Sequence, residues 1–436
     1  MNVRECALKM LLDYEENEKY INLSLNSRSL GTLSRDERAQ LTSLLYTTVE
    51  HKITYDYLIG VFAARSVDKL SSHTKNILRL GLCQILHIDS IPDFAAVNES
   101  VRLTKNKGER ALVNAVLRRA SDEKDKLPFP DKSRNAARYY SIVYSLPIAT
   151  VRHFISLLGE DEAVKLFISF NEKGGTTLTV NTVRTTPDEL IKMLEKEGIV
   201  ATRARFSPIS VKICGSFDPR RSQAFSDGFM HVQDEASAIS ALTLSPMAGD
   251  TVIDVCSAPG GKSMTMAALS MDGAKIYSYD LHESKLSLIE DSAKRLGFSS
   301  VAVAQRDATE PDPKLFGKAD KVLCDVPCSG LGVVSKKPDL RYKDIAIASG
   351  ELPPLQYKIL EASANYLKSG GTLVYSTCTL NKAENEDVVG AFLSSNPEFY
   401  AEDFSIGELS STDGMLTLYP HVHTTDGFFV AKLRKK

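Results

Sequence analysis

From residue 250 onward, five short runs rich in β-branched residues (251–256, 275–280, 301–305, 321–326 and 372–376) alternate with stretches of helical length. That alternation predicts a parallel α/β sheet, because parallel neighbours need a long crossover between them and a helix is the usual one. In open sheets of this kind, ligands bind just beyond the carboxyl ends of the strands. The residues that directly follow each run are therefore where the chemistry of this chain is to be sought.

The residues before 250 follow other periods. Apolar side chains recur at helical spacing at Ala7, Leu8, Leu11 and Leu12, at Leu41, Leu44, Leu45 and Val49, and at Ile77, Leu80, Leu82, Ile85 and Leu86, which predicts an all-helical bundle. Breaks fall at Ser34 before Asp36-Glu37, at Ile91-Pro92-Asp93, and at Leu127-Pro128-Phe129-Pro130, where paired prolines put a boundary near 130. Residues 131–245 mix both signals. Two β-rich runs, at 176–183 and near 209–214, flank a helix start at Thr186-Pro187-Asp188-Glu189. They predict a small α+β, RRM-like module. Arg203, Arg205, Lys212, Arg220 and Arg221 around it suit single-stranded RNA as well as they suit a plain linker domain. With the sheet domain at 246–436, the expectation is a multidomain chain of three parts: 1–130, 131–245 and 246–436.

Composition excludes several classes. Forty-three per cent hydrophobic residues supply real cores, yet no window approaches the roughly 18 apolar residues of a membrane span. The start, MNVRECALKMLLDYEENEK, carries acids where a signal peptide needs an apolar stretch. A cytoplasmic protein without a membrane partner is expected. The seven cysteines form no Cys-x-x-Cys pair and the eight histidines no His-x-x-x-His face, so neither a metal site nor a disulfide scaffold is expected. The net charge of −2 gives no support to a nucleic-acid partner, but residues 101–140 hold 11 basic against 5 acidic groups. A solvated helix face explains that excess as well as an RNA-binding face does.

The strand ends are more specific. The first run leads into Asp254-Val255-Cys256-Ser257-Ala258-Pro259-Gly260-Gly261-Lys262-Ser263, a glycine turn opening a helix, where backbone N–H groups can hold an anion. A Walker loop needs glycine at position 256, which is Cys256, and the dinucleotide G-x-G-x-x-G pattern is absent. A nucleoside carrying a carboxylate instead of a polyphosphate still fits. Asp280 ends the second run, where an acid accepts from ribose hydroxyls, and Asp307 follows the third, within reach of an adenine amine. Each acid alone reads equally well as a cap or a loop residue. Together, on three consecutive strand ends, they favour S-adenosylmethionine over NAD or ATP. The fourth and fifth runs end in Asp325-Val326-Pro327-Cys328-Ser329-Gly330 and Tyr375-Ser376-Thr377-Cys378-Thr379. A cysteine on a polar loop beside a cofactor is a candidate nucleophile. Methylation of carbon 5 of a pyrimidine needs one, because that carbon is not nucleophilic until a thiolate adds to carbon 6.

These motifs, with Pro338-Asp339-Leu340-Arg341-Tyr342 and Glu384-Asn385-Glu386, resemble the RNA 5-methylcytosine methyltransferases of the NOL/NOP/Sun family. His231-Val232-Gln233-Asp234-Glu235-Ala236-Ser237 is similar to that family's lead-in to the first motif. Asn2-Val3-Arg4-Glu5, Ile21-Asn22-Leu23 and Leu112-Val113-Asn114-Ala115-Val116-Leu117-Arg118-Arg119 resemble the NusB-like helical domain of its bacterial members. The likeness covers essentially the whole chain. It implies an all-α NusB-like bundle, the small α+β module and a Rossmann-like class I methyltransferase domain. It further implies Cys378 as nucleophile, Cys328 as the group that assists product release, and Asp325 beside both cofactor and base. Cys256, Ser257, Ala258, Pro259, Gly260, Gly261, Lys262, Asp280 and Asp307 would line the S-adenosylmethionine site with Asp325. A small-subunit (16S) ribosomal RNA substrate and a monomeric enzyme are expected. The run Ser335-Lys336-Lys337-Pro338 departs from the Arg-Arg-His-Pro of many relatives, and lysine lacks the planar fork of arginine, which bears on RNA docking. Two rivals stand beside this reading: an RNA-binding adaptor with a non-catalytic methyltransferase domain, and an RNA-dependent ATPase using Gly260-Gly261-Lys262-Ser263.

Overall fold

The periodic apolar positions of the first third lie on helices Val3–Asn17, Arg35–Glu50, Lys52–Phe62, Ser72–His87, Asp93–Arg102 and Lys107–Asp122 of a computed structural model that describes residues 2–17, 33–172 and 174–436. The Ile21-Asn22-Leu23 segment lies outside the described residues. Ser34 begins its helix with a reciprocal cap: its hydroxyl accepts the Glu37 N–H while the Glu37 carboxylate accepts the Ser34 N–H. Ala7, Leu11, Leu41, Leu44, Leu45, Val49, Ile77, Leu80 and Leu82 are buried in one core.

The prolines at 128 and 130 end a helix but not the packing. Ala136–Val143, Ile148–Leu158 and Glu160–Ser169 are further helices, and the Thr54 hydroxyl donates to Ile142 O at 2.5 Å while Tyr57 OH donates to Pro128 O at 2.9 Å. The chain divides into Met1–Asn171 with Lys337–Asp344, and Glu172–Lys336 with Ile345–Lys436. By compactness the chain divides near 171. A short stretch from far along the chain also belongs to the helical unit. Within it, Arg341 is fully buried and donates to Glu50 O, Tyr144 O, Asn171 Oδ1 and Phe170 O at 2.6–3.3 Å. Tyr342 OH donates to Val49 O at 2.6 Å.

The second unit holds two sheets. The smaller is antiparallel, built from β1 (Thr177–Val180), β2 (Ala201–Arg203), β3 (Ser210–Ile213) and β4 (Met230–Val232) in the order β2-β3-β1-β4, with helix Pro187–Lys196. Two of its strands match the β-rich runs of the sequence; β2 and β4 are additional. The residues 172–245 do not stand apart, since Asn181 Nδ2 donates to Leu296 O and Arg295 donates to Phe225 O and Met230 O. The arginines weighed for single-stranded RNA or a plain linker domain form exposed ion pairs: Arg203 with Asp188, Arg205 with Glu408, and Arg220 with Asp218.

The larger sheet contains the five predicted parallel strands β5 (Thr251–Asp254), β6 (Lys275–Asp280), β7 (Val301–Gln305), β8 (Ala319–Asp325) and β9 (Leu367–Thr377). After β10 (Phe399–Ala401) and the small hairpin of β11 (Ser405–Ile406) and β12 (Leu409–Ser410), β13 (Met415–Leu418) and β14 (Phe428–Lys435) complete it. The order is β10-β14-β9-β8-β5-β6-β7, with β13 on β14; β10, β13 and β14 run antiparallel to their neighbours. The strand order reverses beside β5, so β5 and β8 border the crevice where such sheets bind ligands. No single helix among the described residues is long and apolar enough to cross a membrane.

Candidate active site

β5 ends in Asp254, and the turn that follows enters helix Gly261–Leu269. Gly260 adopts φ +103°, and a Cβ there would press on Ile289 at 3.2 Å, so glycine alone fits. The turn is pinned from both sides: Ser257 N and Oγ donate to Tyr279 O, and Ala258 N donates to Asp280 Oδ2 at 3.1 Å. Asp280, at the end of β6, also accepts the His282 N–H through Oδ1. Behind the turn, the Ser263 hydroxyl donates to the fully buried Asp254 at 2.6 Å and accepts from Ser278. Burial first, then the nearby Asp325 charge, push Asp254 up to about 7 against the pull of Ser263 and Lys262.

The lead-in segment has a structural purpose. His231 Nε2 lies 3.1 Å from Gly261 O, and Gln233 Oε1 accepts from Thr265 and from Thr179 at 3.1 Å, so β4 grips the first turn of the helix. Burial pushes His231 down to about 4, leaving it a neutral donor at ordinary pH.

At the ends of β8 and β9 the remaining predicted residues converge. Lys262 Nζ lies 2.7 Å from Asp325 Oδ2, and the other carboxylate oxygen accepts from Ser376 Oγ at 2.8 Å. Burial opposes the Lys262 charge, but Asp325 outweighs it and leaves the ammonium above its ordinary value. Cys328 Sγ and Cys378 Sγ are 3.3 Å apart. The contact with Cys378, then burial, push the Cys328 thiol well above its usual range. Burial also raises the Cys256 thiol. Asp307 stays outside this cluster: it is exposed, and its Oδ1 caps its own loop by accepting from Thr309 N and Oγ1. It still follows β7 beside the end of β6, where Arg306 N donates to Asp280 O.

Sequence alone assigns no roles to the residues that hold the cysteine loops. Glu384, fully buried, accepts from Ser329 N and Oγ, Gln356 and Asn381. Asn385 accepts from Thr377 Oγ1 and donates to Thr379 O. The hydroxyl residues flanking Cys378 were the available signal, since polar side chains in a buried strand end need partners. Lys336, weighed above for RNA docking, points inward instead: its ammonium sits 2.5 Å from Asp234 and 3.0 Å from Asp426. Burial, then the Asp234 charge, raise Asp426 to about 7.

Comparison with known proteins agrees with this arrangement. Residues 241–434 match the family model described as 16S rRNA methyltransferase RsmB/F, and residues 1–122 match the NusB family. A probable ribosomal RNA small subunit methyltransferase B of Bacillus subtilis is 34% identical over 448 residues, covering 100% of this chain and 99% of the relative. The ribosomal RNA small subunit methyltransferase B of Vibrio vulnificus is 28% identical, with 100% of each chain covered. Among solved structures, PH0851 superimposes with a TM-score of 0.79 at 27% identity, covering 99% of this chain and 98% of that one. NSun6 from Pyrococcus horikoshii, solved with SFG, does so with a TM-score of 0.60 at 25% identity, covering 67% of this chain and 99% of that one. With a helical NusB unit, a strand-order reversal flanked by the Asp254–Lys262 turn, and paired cysteines at neighbouring strand ends, the chain belongs to the ribosomal RNA small subunit methyltransferase B family.

Proposed function

We propose that this protein methylates carbon 5 of a cytosine in small-subunit ribosomal RNA, in the cytosol, through a covalent adduct with Cys378. The observation that carries the proposal is the 3.3 Å pair of Cys328 and Cys378, set beside the Lys262–Asp325 ion pair at the ends of two adjacent strands.

The residues present suit S-adenosylmethionine, whose part is to supply the methyl group. The N–H groups at the start of helix Gly261–Leu269 face the turn that Gly260 keeps open, and they suit its carboxylate. Asp280 suits the ribose hydroxyls and Asp307 the adenine amine. Cys256, Ser257, Ala258, Pro259 and Lys262 form the rest of the wall.

The chain's own residues then divide the work. The Cys378 thiolate adds to carbon 6 of the cytosine, forming a C–S bond and moving electron density onto carbon 5. Ring nitrogen 3 bears no proton, so Asp325 acts there as the acid, its carboxyl donating a proton to that nitrogen as the thiolate adds, and Lys262 favours negative charge on the neighbouring thiolate. After carbon 5 carries its methyl group, its proton passes to water, the C–H electron pair re-forms the C5–C6 double bond, the Cys378 sulfur leaves as thiolate, and ring nitrogen 3 returns its proton to Asp325. Cys328, held beside Cys378, assists that release.

The test is transfer of labelled methyl to protein-free small-subunit ribosomal RNA, with the product nucleoside identified by mass. Label in 5-methylcytidine that vanishes in Cys378→Ala, together with a covalent RNA adduct that accumulates in Cys328→Ala, supports the proposal. If Cys378→Ala is the trapping variant, the two roles are reversed. Cofactor and RNA binding without transfer, on free RNA and on ribosomal particles alike, would favour the adaptor reading.

A further inference from the structure

The two cysteine loops are each held on both sides of the sulfur, by different residues. Around Cys328, Gln356 Nε2 donates to Pro327 O at 2.9 Å, while Glu384 accepts Ser329 N–H at 2.9 Å and Ser329 O–H at 2.6 Å. Around Cys378, Asn385 accepts the Thr377 hydroxyl at 2.6 Å and donates to Thr379 O at 3.0 Å. The loops meet where the Ser329 and Thr379 hydroxyls lie 2.7 Å apart and where Gly332 N donates to Cys378 O at 3.0 Å. Gly332 in turn accepts the Gly427 N–H at 2.8 Å, and any side chain at 332 would collide with the Gly427 backbone.

Glu384 is an unusual choice for such a brace. Its carboxylate is fully buried, and Ser329 N, Ser329 Oγ, Gln356 Nε2 and Asn381 Nδ2 occupy its four acceptor positions. A carboxylate accepts at all four and donates at none, and hydrogen bonds to an ionised group are short and strong. Glutamine has the same shape but must turn one N–H pair toward groups that are themselves donors. That leaves buried donors facing each other, at the cost of an unmade bond.

We propose that Glu384 and Asn385 are separate positioning residues for the two sulfurs, Glu384 setting Cys328 and Asn385 setting Cys378. This rests on the roles proposed above for the two cysteines. Because the braces act on different loops, they control different half-reactions. Loosening Glu384 moves the release thiol and slows breakage of the C–S bond, whereas loosening Asn385 moves the nucleophile and slows formation of that bond. Displacement of a reacting group by less than 1 Å costs up to about 100-fold in rate.

The experiment uses the full chain with S-adenosylmethionine and a protein-free small-subunit ribosomal RNA transcript. It follows the denaturation-resistant RNA–protein adduct and the methyl product over time for the wild type, Glu384→Gln, Asn385→Ala, Ser329→Ala and Cys328→Ala. Glu384→Gln is expected to form adduct at the wild-type rate, hold several-fold more of it at steady state, and turn over between about 10- and 100-fold more slowly. Ser329→Ala, which keeps the backbone donor and removes only the hydroxyl, should shift in the same direction by less. Asn385→Ala should form adduct slowly and accumulate none. A merely structural role predicts instead that adduct formation and release fall together, and that result in Glu384→Gln overturns the proposal, as does an unchanged adduct level. Should Cys328→Ala itself trap no adduct, the cysteine roles are wrong and the proposal falls with them. Should it trap while Glu384→Gln does not, the roles stand and only the positioning role fails.

Discussion

Among the buried and partly buried cations of the two units, Arg341 and Lys262 are treated in opposite ways. In the helical unit, Arg341 is fully enclosed, and its hydrogen bonds run to three backbone carbonyls and the Asn171 amide oxygen. In the catalytic unit, Lys262 keeps part of its surface exposed and faces a carboxylate, Asp325. Neutral dipoles fixed by backbone hold a guanidinium in place, and a guanidinium does not lose its proton in proteins. An ammonium beside a carboxylate at the mouth of a strand end is different: its field can be spent on whatever charge develops there. The difference separates a charge that builds the structure from one that, under the proposed function, serves the chemistry.

Four substitutions or titrations sharpen or break that distinction. Lys262→Met keeps a side chain of similar length and removes the ammonium that faces the Phe428 ring at 5.3 Å. Methyl transfer is expected to fall by about 10²-fold or more, while the unfolding midpoint moves by no more than about 4 °C. A collapse of stability with activity per folded molecule intact would erase the contrast. Arg341→Met should do the reverse, costing about 3–5 kcal/mol in denaturant titrations because buried acceptors lose their donors. Single-turnover methylation per folded molecule should stay within about threefold, since every group that bonds the guanidinium belongs to the helical unit.

The third prediction concerns pH. Asp254 rises from 3.8 to about 7 in the folded chain, so the folded state binds more protons than the unfolded state between those values. Its contribution is fully present below pH 3.8 and is lost as the pH rises through about 7. The stability difference between the wild type and Asp254→Asn should therefore shrink along that interval, measured by melting at stepped pH; a flat difference would mean Asp254 titrates normally. The smallest effect belongs to the exposed basic face of helix Lys107–Asp122. Replacing Lys107, Arg110 and Arg118 by Gln should reduce the salt slope of RNA affinity by about 0.7–0.9 for each phosphate that is no longer neutralised. The turnover rate at saturating RNA should not change.

The parallel strands were legible because buried parallel strands demand β-branched runs, and those runs stand out between helices. The candidate site was legible for the same reason: Asp254, Asp280, Asp325, Cys328 and Cys378 lie at or just after the ends of recognisable strands. What escaped was whatever depends on distant partners. β10 spans only Phe399–Ala401 and β2 only Ala201–Arg203, too short to show a period. Glu384 enters the sequence only within the Glu384-Asn385-Glu386 motif, and its part is visible only once its four donors are seen. Lys336 reads as a surface cation until Asp234 and Asp426 close around it. Pro338–Tyr342 carries a motif shared with catalytic domains, and nothing in its composition tells that Arg341 completes the core of the helical unit.

That last feature bears on how the protein is made. Domains generally fold as they leave the ribosome, N-terminal first. Here the helical unit emerges with a notch in it, because the peptide that fills the notch is encoded after residues 172–336. At about 5–20 residues per second, those residues take roughly 10–30 s to synthesise. During that interval the carbonyls of Glu50, Tyr144 and Phe170 must find water in place of the guanidinium they later receive. The first part of this chain to be translated is thus finished by one of the later parts, and its maturation is clocked by the translation of the catalytic unit.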